Sequence, residues 1–305
     1  MKRGTIVSIG TFDGVHLGHQ AILRELRHQA QTHALSSLVY AFSVPPRWVM
    51  SDTEGRYLLL PESVKLALLR KSVDIVHPAS FDAVRSMGPE EFVKTVLIHQ
   101  LNARVIVEGE AFRFGRDRSG DLETLRSLGA QLGLDVVGVP PVNADHEIPS
   151  STRIRELVRA GDFRTAGFCL GRPPMLLGSV IRGDQLGGKL GYPTANLAVN
   201  PHILLPNPGI FLVHAYGEDI RSAGLLYVGT RPTLGNGDLR CEVHLLDSPE
   251  RPLYDSSLEI HLLERIRGDR SFPTLDALRS QIGTDIATAR ELLSSYSLSE
   301  ERISS

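Results

Sequence analysis

The chain opens on a short apolar run, Ile6 to Ile9. A polar, Gly-rich stretch follows (Gly10, Asp13, Gly14, Gly18), and then Ala21, Ile22, Leu26 and Ala30 fall at helical spacing. The pattern predicts strand, tight turn, helix. Ser36 to Phe42 reads as a second buried strand, so the helix joins two strands in a right-handed βαβ unit with a parallel sheet. The alternation continues. Helices are expected at Pro61–Leu69, from Pro89 to about His99, and from the Gly120-Asp121 cap through Leu128. Strands are expected at Asp74–His77, Arg104–Val107 and Leu134–Val139. Two further helices close this half, one from Ser150 through Val158 and one over Ala166–Leu170.

Gly171-Arg172-Pro173-Pro174 changes the character of the chain. Glycine stops a helix and the prolines cannot continue it. Beyond it, Leu176–Ile181, Ile210–Tyr216, Gly224–Gly229, Cys241–Leu246 and Leu258–Leu263 are short β-like runs separated by turn residues. That spacing predicts a small antiparallel barrel or sandwich. Thr274–Leu278 and Thr284–Ser295 read as two C-terminal helices, ahead of a polar tail. The expected domains are therefore 1–171, α/β with a parallel sheet, and 172–305, antiparallel β with C-terminal helices.

Composition narrows the function classes. A length of 305 residues suits two cores, and 42% hydrophobic with 22% charged residues is ordinary for a globular protein. A formal net charge of −2 supplies no basic field for nucleic acid. The apolar run after Lys2 and Arg3 is too short for a signal peptide or a membrane span. Two distant cysteines, Cys169 and Cys241, build no disulfide scaffold, so cytoplasmic residence is expected. An oligomer is left open.

Three stretches carry chemistry. In the first, Gly10-Thr11-Phe12-Asp13-Gly14 leads through His16 and Gly18 to His19 at a helix start. Glycines let backbone approach an anion, and a helix N-terminus attracts phosphate. Two imidazoles three residues apart share one helical face, where they can stabilise charge on a departing pyrophosphate. The same histidines also suit plain helix capping. The second stretch is Ser150-Ser151-Thr152-Arg153: hydroxyls suited to capping, then a planar charge suited to phosphate oxygens. By itself it also fits an ordinary capped surface helix. The third runs from Gly183 through Gly188 and Lys189 to Pro193, Thr194 and Asn196. Its glycines can wrap a phosphate chain, and Thr194 and Asn196 offer neutral oxygens of the kind Mg²⁺ accepts. A bland Gly-rich hairpin fits that stretch equally well.

The wider strings separate these alternatives. GTFDGVHLGH and SSTRIR resemble the two signatures of HxGH nucleotidyltransferases in the bacterial bifunctional riboflavin kinase/FAD synthetase family. Phe112-Arg113-Phe114-Gly115 matches that family's loop over the flavin and phosphate end of the site. GYPTAN resembles the riboflavin kinase signature, and Val228-Gly229-Thr230-Arg231-Pro232-Thr233, Glu242-Val243-His244, Leu253-Tyr254, Ile266-Arg267 and Phe272 match later family segments. The resemblance spans essentially the whole chain, in the expected order. It implies a Rossmann-like α/β nucleotidyltransferase domain followed by a riboflavin kinase β-barrel. It implies Glu242 as kinase base, His16 and His19 as catalytic groups of adenylyl transfer, and Thr194 and Asn196 as ligands of an ATP-bound Mg²⁺. Riboflavin, FMN, FAD and ATP are the implied partners, with no nucleic acid and no membrane. Two positions depart from the family: Pro45-Pro46-Arg47 stands where Pro-His-Pro is usual, and Ala111 where Asp or Asn is usual. Those departures keep a kinase with a weakened adenylyl domain, or a non-catalytic flavin-binding protein, as alternative readings.

Overall fold

The computed structural model describes residues 4–45, 48, 57–183, 186–230, 240–247, 253–297 and 302–304. Pro46, Arg47 and the 231–233 match lie outside the described residues, as does the side chain of Lys189. The chain divides into two compact units. One holds residues 1–54 and 62–151; the other holds 55–61 and 152–305.

In the first unit, β1 (Thr5–Gly10), α1 (Leu17–Thr32), β2 (Ser36–Phe42), α2 (Glu62–Ser72) and β3 (Ile75–Ala79) come first. Next is α3 (Pro89–Phe92), which widens into a π-helical turn over Val93–Gln100, and then β4 (Ala103–Gly109). A small hairpin, β5 (Arg113–Phe114) with β6 (Gly120–Asp121), leads to α4 (Leu122–Leu132) and β7 (Asp135–Val139). The five long strands form one parallel sheet in the order β3-β2-β1-β4-β7. Val7, Leu38, Tyr40 and Ile106 on one face pack with Val93, Val96 and Leu125 from the helices. The order reverses direction at β1, so the switch point lies between β1 and β4, where open α/β sheets bind ligands.

In the second unit, α5 (Ser151–Ala160) and α6 (Phe163–Leu170) precede β8 (Met175–Ile181), the one-turn α7 (Leu186–Lys189) and β9 (Ala195–Val199). Then come β10 (Gly209–Tyr216), β11 (Arg221–Gly229), β12 (Arg240–Leu245), β13 (Ser257–Gly268) and α8 (Leu275–Leu292). Six strands close an antiparallel barrel, β10-β11-β12-β9-β8-β13. Closure leaves no open sheet edge.

Three expectations change. The break between units falls between Ser151 and Thr152, twenty residues before the expected Gly171-Arg172 boundary. The reason is burial: Ile154, Leu157, Val158, Phe163, Ala166 and Leu170 share one core with barrel residues such as Leu176, Phe211 and Val243. Pro173-Pro174 ends a helix without ending a core. The two expected C-terminal helices are one, α8, capped by the Thr274 hydroxyl on the Ala277 N–H and followed by a 3₁₀ turn. Gly283 costs helix stability but does not break it. Finally, Ala195 and Asn196, expected at the end of a Gly-rich loop, begin a strand, Ala195–Val199, that pairs with both β8 and β12.

These cores predict where the chain can be cut. A fragment of residues 152–305 should be soluble and melt cooperatively. Its melting temperature should lie below that of the same unit in the full chain, because Leu58 and Leu59 leave a core in which Leu58 bridges Ile203. A fragment of residues 172–305 should aggregate, since losing α5 and α6 uncovers apolar side chains worth about 1.5–3 kcal/mol each when buried. Solubility and thermal melts of the two fragments check this. Equal melting of both would contradict it.

Candidate active sites

The first site grows from the carboxyl end of β1. Gly10 to His16 forms a tight turn in which Phe12, Asp13, Gly14, Val15 and His16 are all buried. Phe12, Gly14 and Val15 have φ of 52°, 82° and 41°. A β-branched residue in that region is strained, and such strain persists only where the surroundings enforce it. His16 caps α1, its Nδ1 accepting the His19 N–H at 3.4 Å. The acceptor role leaves the His16 ring proton on Nε2. The two imidazoles stack with centroids 3.6 Å apart, and the Phe12 ring lies 5.2 Å from His19. A side chain at Gly18 would meet the His16 ring at 3.1 Å, so glycine permits the stack.

Burial first, and His16 second, hold the His19 pKa well below 6.5. Its Nδ1 is buried without a hydrogen-bond partner among the described residues. An orphaned buried polar atom in a strained turn is what a ligand-completed site presents. Ser151, 138 residues along the chain, donates its hydroxyl to the Asp13 carbonyl at 2.9 Å. The fold thus joins the first signature to the start of the second. Thr152 and Arg153 open α5 just after it, with Arg153 3.5 Å from Glu156.

Gly10, Thr11, Phe112 and Arg113 line a cavity of about 910 Å³, walled by Phe42, Phe81, Phe92 and Phe114. Phe112 and Phe114 stack at 5.5 Å, and Arg113 meets Asp121 at 3.5 Å. Ala111 lines the same cavity. His16, His19, Asp13 and Gly14 are not among its lining residues. Two groups escaped the sequence reading. Lys65 is buried and donates to the carbonyls of Phe42 (2.7 Å) and Ser43 (3.0 Å) at the end of β2. Burial lowers its pKa, opposed by Asp13 and Glu62. The other is Glu108, buried at the end of β4.

The second site lies in the barrel unit. Glu242 on β12 stands opposite Asn196 of β9 and Tyr227 of β11. The Thr194 hydroxyl donates to Glu242 Oε2 at 3.2 Å. His244, two residues on, donates from Nδ1 to the Pro193 carbonyl at 2.8 Å, which fixes the turn carrying Thr194. Gly183 and Gly187 leave room for this packing: a Cβ at Gly183 would collide with the Asn196 amide, and one at Gly187 with the Tyr192 carbonyl. Gly188 is open to space and plays no such part. Thr194, Glu242 and His244 line a cavity of about 270 Å³ with Leu225, Phe272 and Leu278.

Asp285 closes the far wall, unforeseen from the sequence. Arg267 grips it with Nε and Nη2 at 2.8–3.0 Å, and Gln281 donates to it at 2.7 Å. The available signal was the spacing of Leu278, Ile282 and Asp285 at i, i+4 and i+7 on one helix face. Among the described residues no group of three or more His, Cys, Asp or Glu could hold a metal. Thr194 and Asn196 nevertheless suit an ion carried by phosphates, because such an ion asks few ligands of the protein.

The FAD synthetase family matches residues 1–153, and the riboflavin kinase family matches residues 170–293. The bifunctional riboflavin kinase/FMN adenylyltransferase of Pseudomonas fluorescens is 36% identical over 95% of this chain and 93% of its own. The chain belongs to the bifunctional riboflavin kinase/FMN adenylyltransferase family. The Escherichia coli K12 member is 31% identical over the same shares. A solved structure described as a macrolide-efflux protein from Streptococcus pneumoniae superposes with a TM-score of 0.85, at 28% identity, covering 95% of both chains. No helix among the described residues of this family member is long and apolar enough to cross a membrane. The expected α/β and barrel folds and both enzyme domains are therefore present, as adenylyltransferase and kinase respectively. Families of this kind use ATP with a divalent metal.

Proposed function

We propose that the chain makes FMN from riboflavin and FAD from FMN, each time with ATP. One observation carries this reading. The first nucleotidyltransferase signature and the kinase segments each meet a cavity within their own unit: Gly10 and Thr11 with Phe112 and Arg113 in one, Glu242 and Thr194 in the other.

In the barrel, Glu242 accepts the proton of the riboflavin 5′-hydroxyl while its oxygen attacks the γ-phosphorus of ATP; FMN forms and ADP leaves. Thr194 orients that carboxylate through its 3.2 Å hydrogen bond. Thr194 and Asn196 would hold Mg²⁺, which when bound offsets the charge of the ATP phosphates. In the parallel-sheet unit, an FMN phosphate oxygen attacks the α-phosphorus of a second ATP. The bond to the β-phosphate breaks, and FAD and pyrophosphate result. No protein nucleophile is required; positioning and charge stabilisation carry the step. His16 and His19 face the departing pyrophosphate, the glycine turn and Thr152 bind ATP, and Arg153 clamps phosphate. Phe112 and Arg113 cover the flavin and its phosphate, and Gly183, Gly188 and Lys189 wrap the kinase nucleotide. The reading places the protein in the cytoplasm with small-molecule substrates. Pyrophosphate release that requires FMN, and ADP release that requires riboflavin, test it directly. ATP turnover unaffected by either flavin would contradict it.

The metal ligands give a separate test. Asn196→Ala should raise the Mg²⁺ concentration needed for half-maximal FMN formation by about tenfold or more, since losing even an outer-shell partner of a metal commonly costs that much. FAD formation from supplied FMN should stay within about twofold. Titrations of Mg²⁺ for both reactions check this; parallel loss of both would mark Asn196 as structural.

A further inference from the structure

The sheet splits at its switch point, and one buried side chain stands in the split. β1 and β4 pair from Thr5 to Val7, where Val7 opposes Ile106, and go no further, although β1 continues to Gly10 and β4 to Gly109. The Thr5 N–H points towards β4, donating to the Asn102 carbonyl at 3.0 Å. With a strand period of two, the N–H of Ile9 points the same way. Past Val7 the ladder no longer offers it a β4 carbonyl. Glu108 Oε1 takes that place, accepting the Ile9 N–H at 2.5 Å and the Ser8 hydroxyl at 3.3 Å.

Glu108 is 3% exposed, and no cation lies beside it among the described residues. A buried carboxyl without an ion partner is costly. Burial raises its pKa well above 4.5, against the two hydrogen bonds. A backbone acceptor would have closed the two strands to their ordinary spacing of about 4.8 Å. The side chain instead satisfies the buried N–H while the strands part. Ile9, Gly10 and Thr11, directly beyond it, form the floor of the cavity of about 910 Å³.

We infer that Glu108 is a positioning residue for FAD synthesis: it props open the β1–β4 crevice and fixes the exit of β1 from which Gly10, Thr11 and the His16–His19 pair are hung. The inference rests on the reading of this crevice as the adenylyl-transfer site. It assigns Glu108 no contact with substrate. What it controls is the placement of the groups that have one.

The experiment uses the full chain, whose riboflavin kinase half reports on folding in the same sample. Glu108→Leu removes the acceptor, and Glu108→Gln keeps an oxygen for the Ile9 N–H without an ionisable group. FAD formation from FMN and Mg-ATP should fall about 10²-fold in Glu108→Leu, the scale of a displacement of roughly 1 Å at a reacting site. The loss should appear in kcat, with KM for FMN changed less than about threefold. Glu108→Gln should recover the rate to within about threefold of wild type. FMN formation should be unchanged in both. Unaltered FAD formation in Glu108→Leu overturns the inference. So does an equal loss in Glu108→Gln, which would show that an acceptor oxygen for the Ile9 N–H is not what the site needs. Failure of the site reading looks different: His19→Ala would then leave FAD formation unchanged, whatever Glu108 does.

Discussion

Glu242→Gln is expected to lower FMN formation by about 10²-fold or more, within the range a positioned general base contributes. The variant keeps the size of the side chain and an oxygen for the Thr194 hydroxyl, which now sits 3.2 Å from Oε2. It removes only the capacity to accept a proton. Glu242 lies in the interior of the β12 ladder, with Asn196 on one side and Tyr227 on the other. An amide there disturbs no backbone pairing. The barrel should keep its stability, and FAD formation from supplied FMN should remain within about twofold of wild type. Steady-state rates of both reactions on the same preparation make the comparison. Undiminished FMN formation would remove Glu242 from the role of base.

The second large effect belongs to His19. His19→Ala is expected to cut FAD formation by about 10²–10³-fold, the loss found when one preorganised donor to developing charge is deleted. FMN formation should be untouched. Its geometry motivates the size: the ring is stacked on His16, with Nδ1 buried and lacking a partner among the described residues. A group held in that way has no reorganisation left to make when the pyrophosphate departs. Ala111, where the family carries Asp or Asn, lines the cavity wall with a methyl group. FAD formation should accordingly run slower than in relatives with the polar residue. An unchanged rate of FAD formation in His19→Ala would take the histidine pair out of the mechanism.

Much of this was readable from residue pattern. The alternation of apolar runs and helical periods in the first half follows directly from burial on both faces of a parallel sheet. The carboxyl-end placement of the Gly10–Gly14 turn follows from strand-then-helix order. The barrel strands β10 to β13 also announce themselves, because each is a β-rich run between turn residues. What stayed hidden arises from tertiary neighbours. Ala195 and Asn196 look like the end of a glycine loop until β8 and β12 flank them. Pro173-Pro174 reads as a domain boundary until the buried faces of α5 and α6 are seen in the barrel core. Lys65 and Glu108 resemble ordinary charged positions of a helix and a strand end; only the fold buries them. Asp285 gains its meaning from Arg267, eighteen residues away, and no local pattern joins the two.

The central claim is that one chain carries both steps in sequence. The most direct measurement is chromatography of the flavins formed when the purified protein is incubated with riboflavin and Mg-ATP. FMN should rise first and FAD should follow at its expense; Glu242→Gln should form neither from riboflavin yet convert supplied FMN to FAD, and His19→Ala should stop at FMN. A wild-type reaction that halts at FMN over hours, or one that yields no phosphorylated flavin at all, would contradict the account.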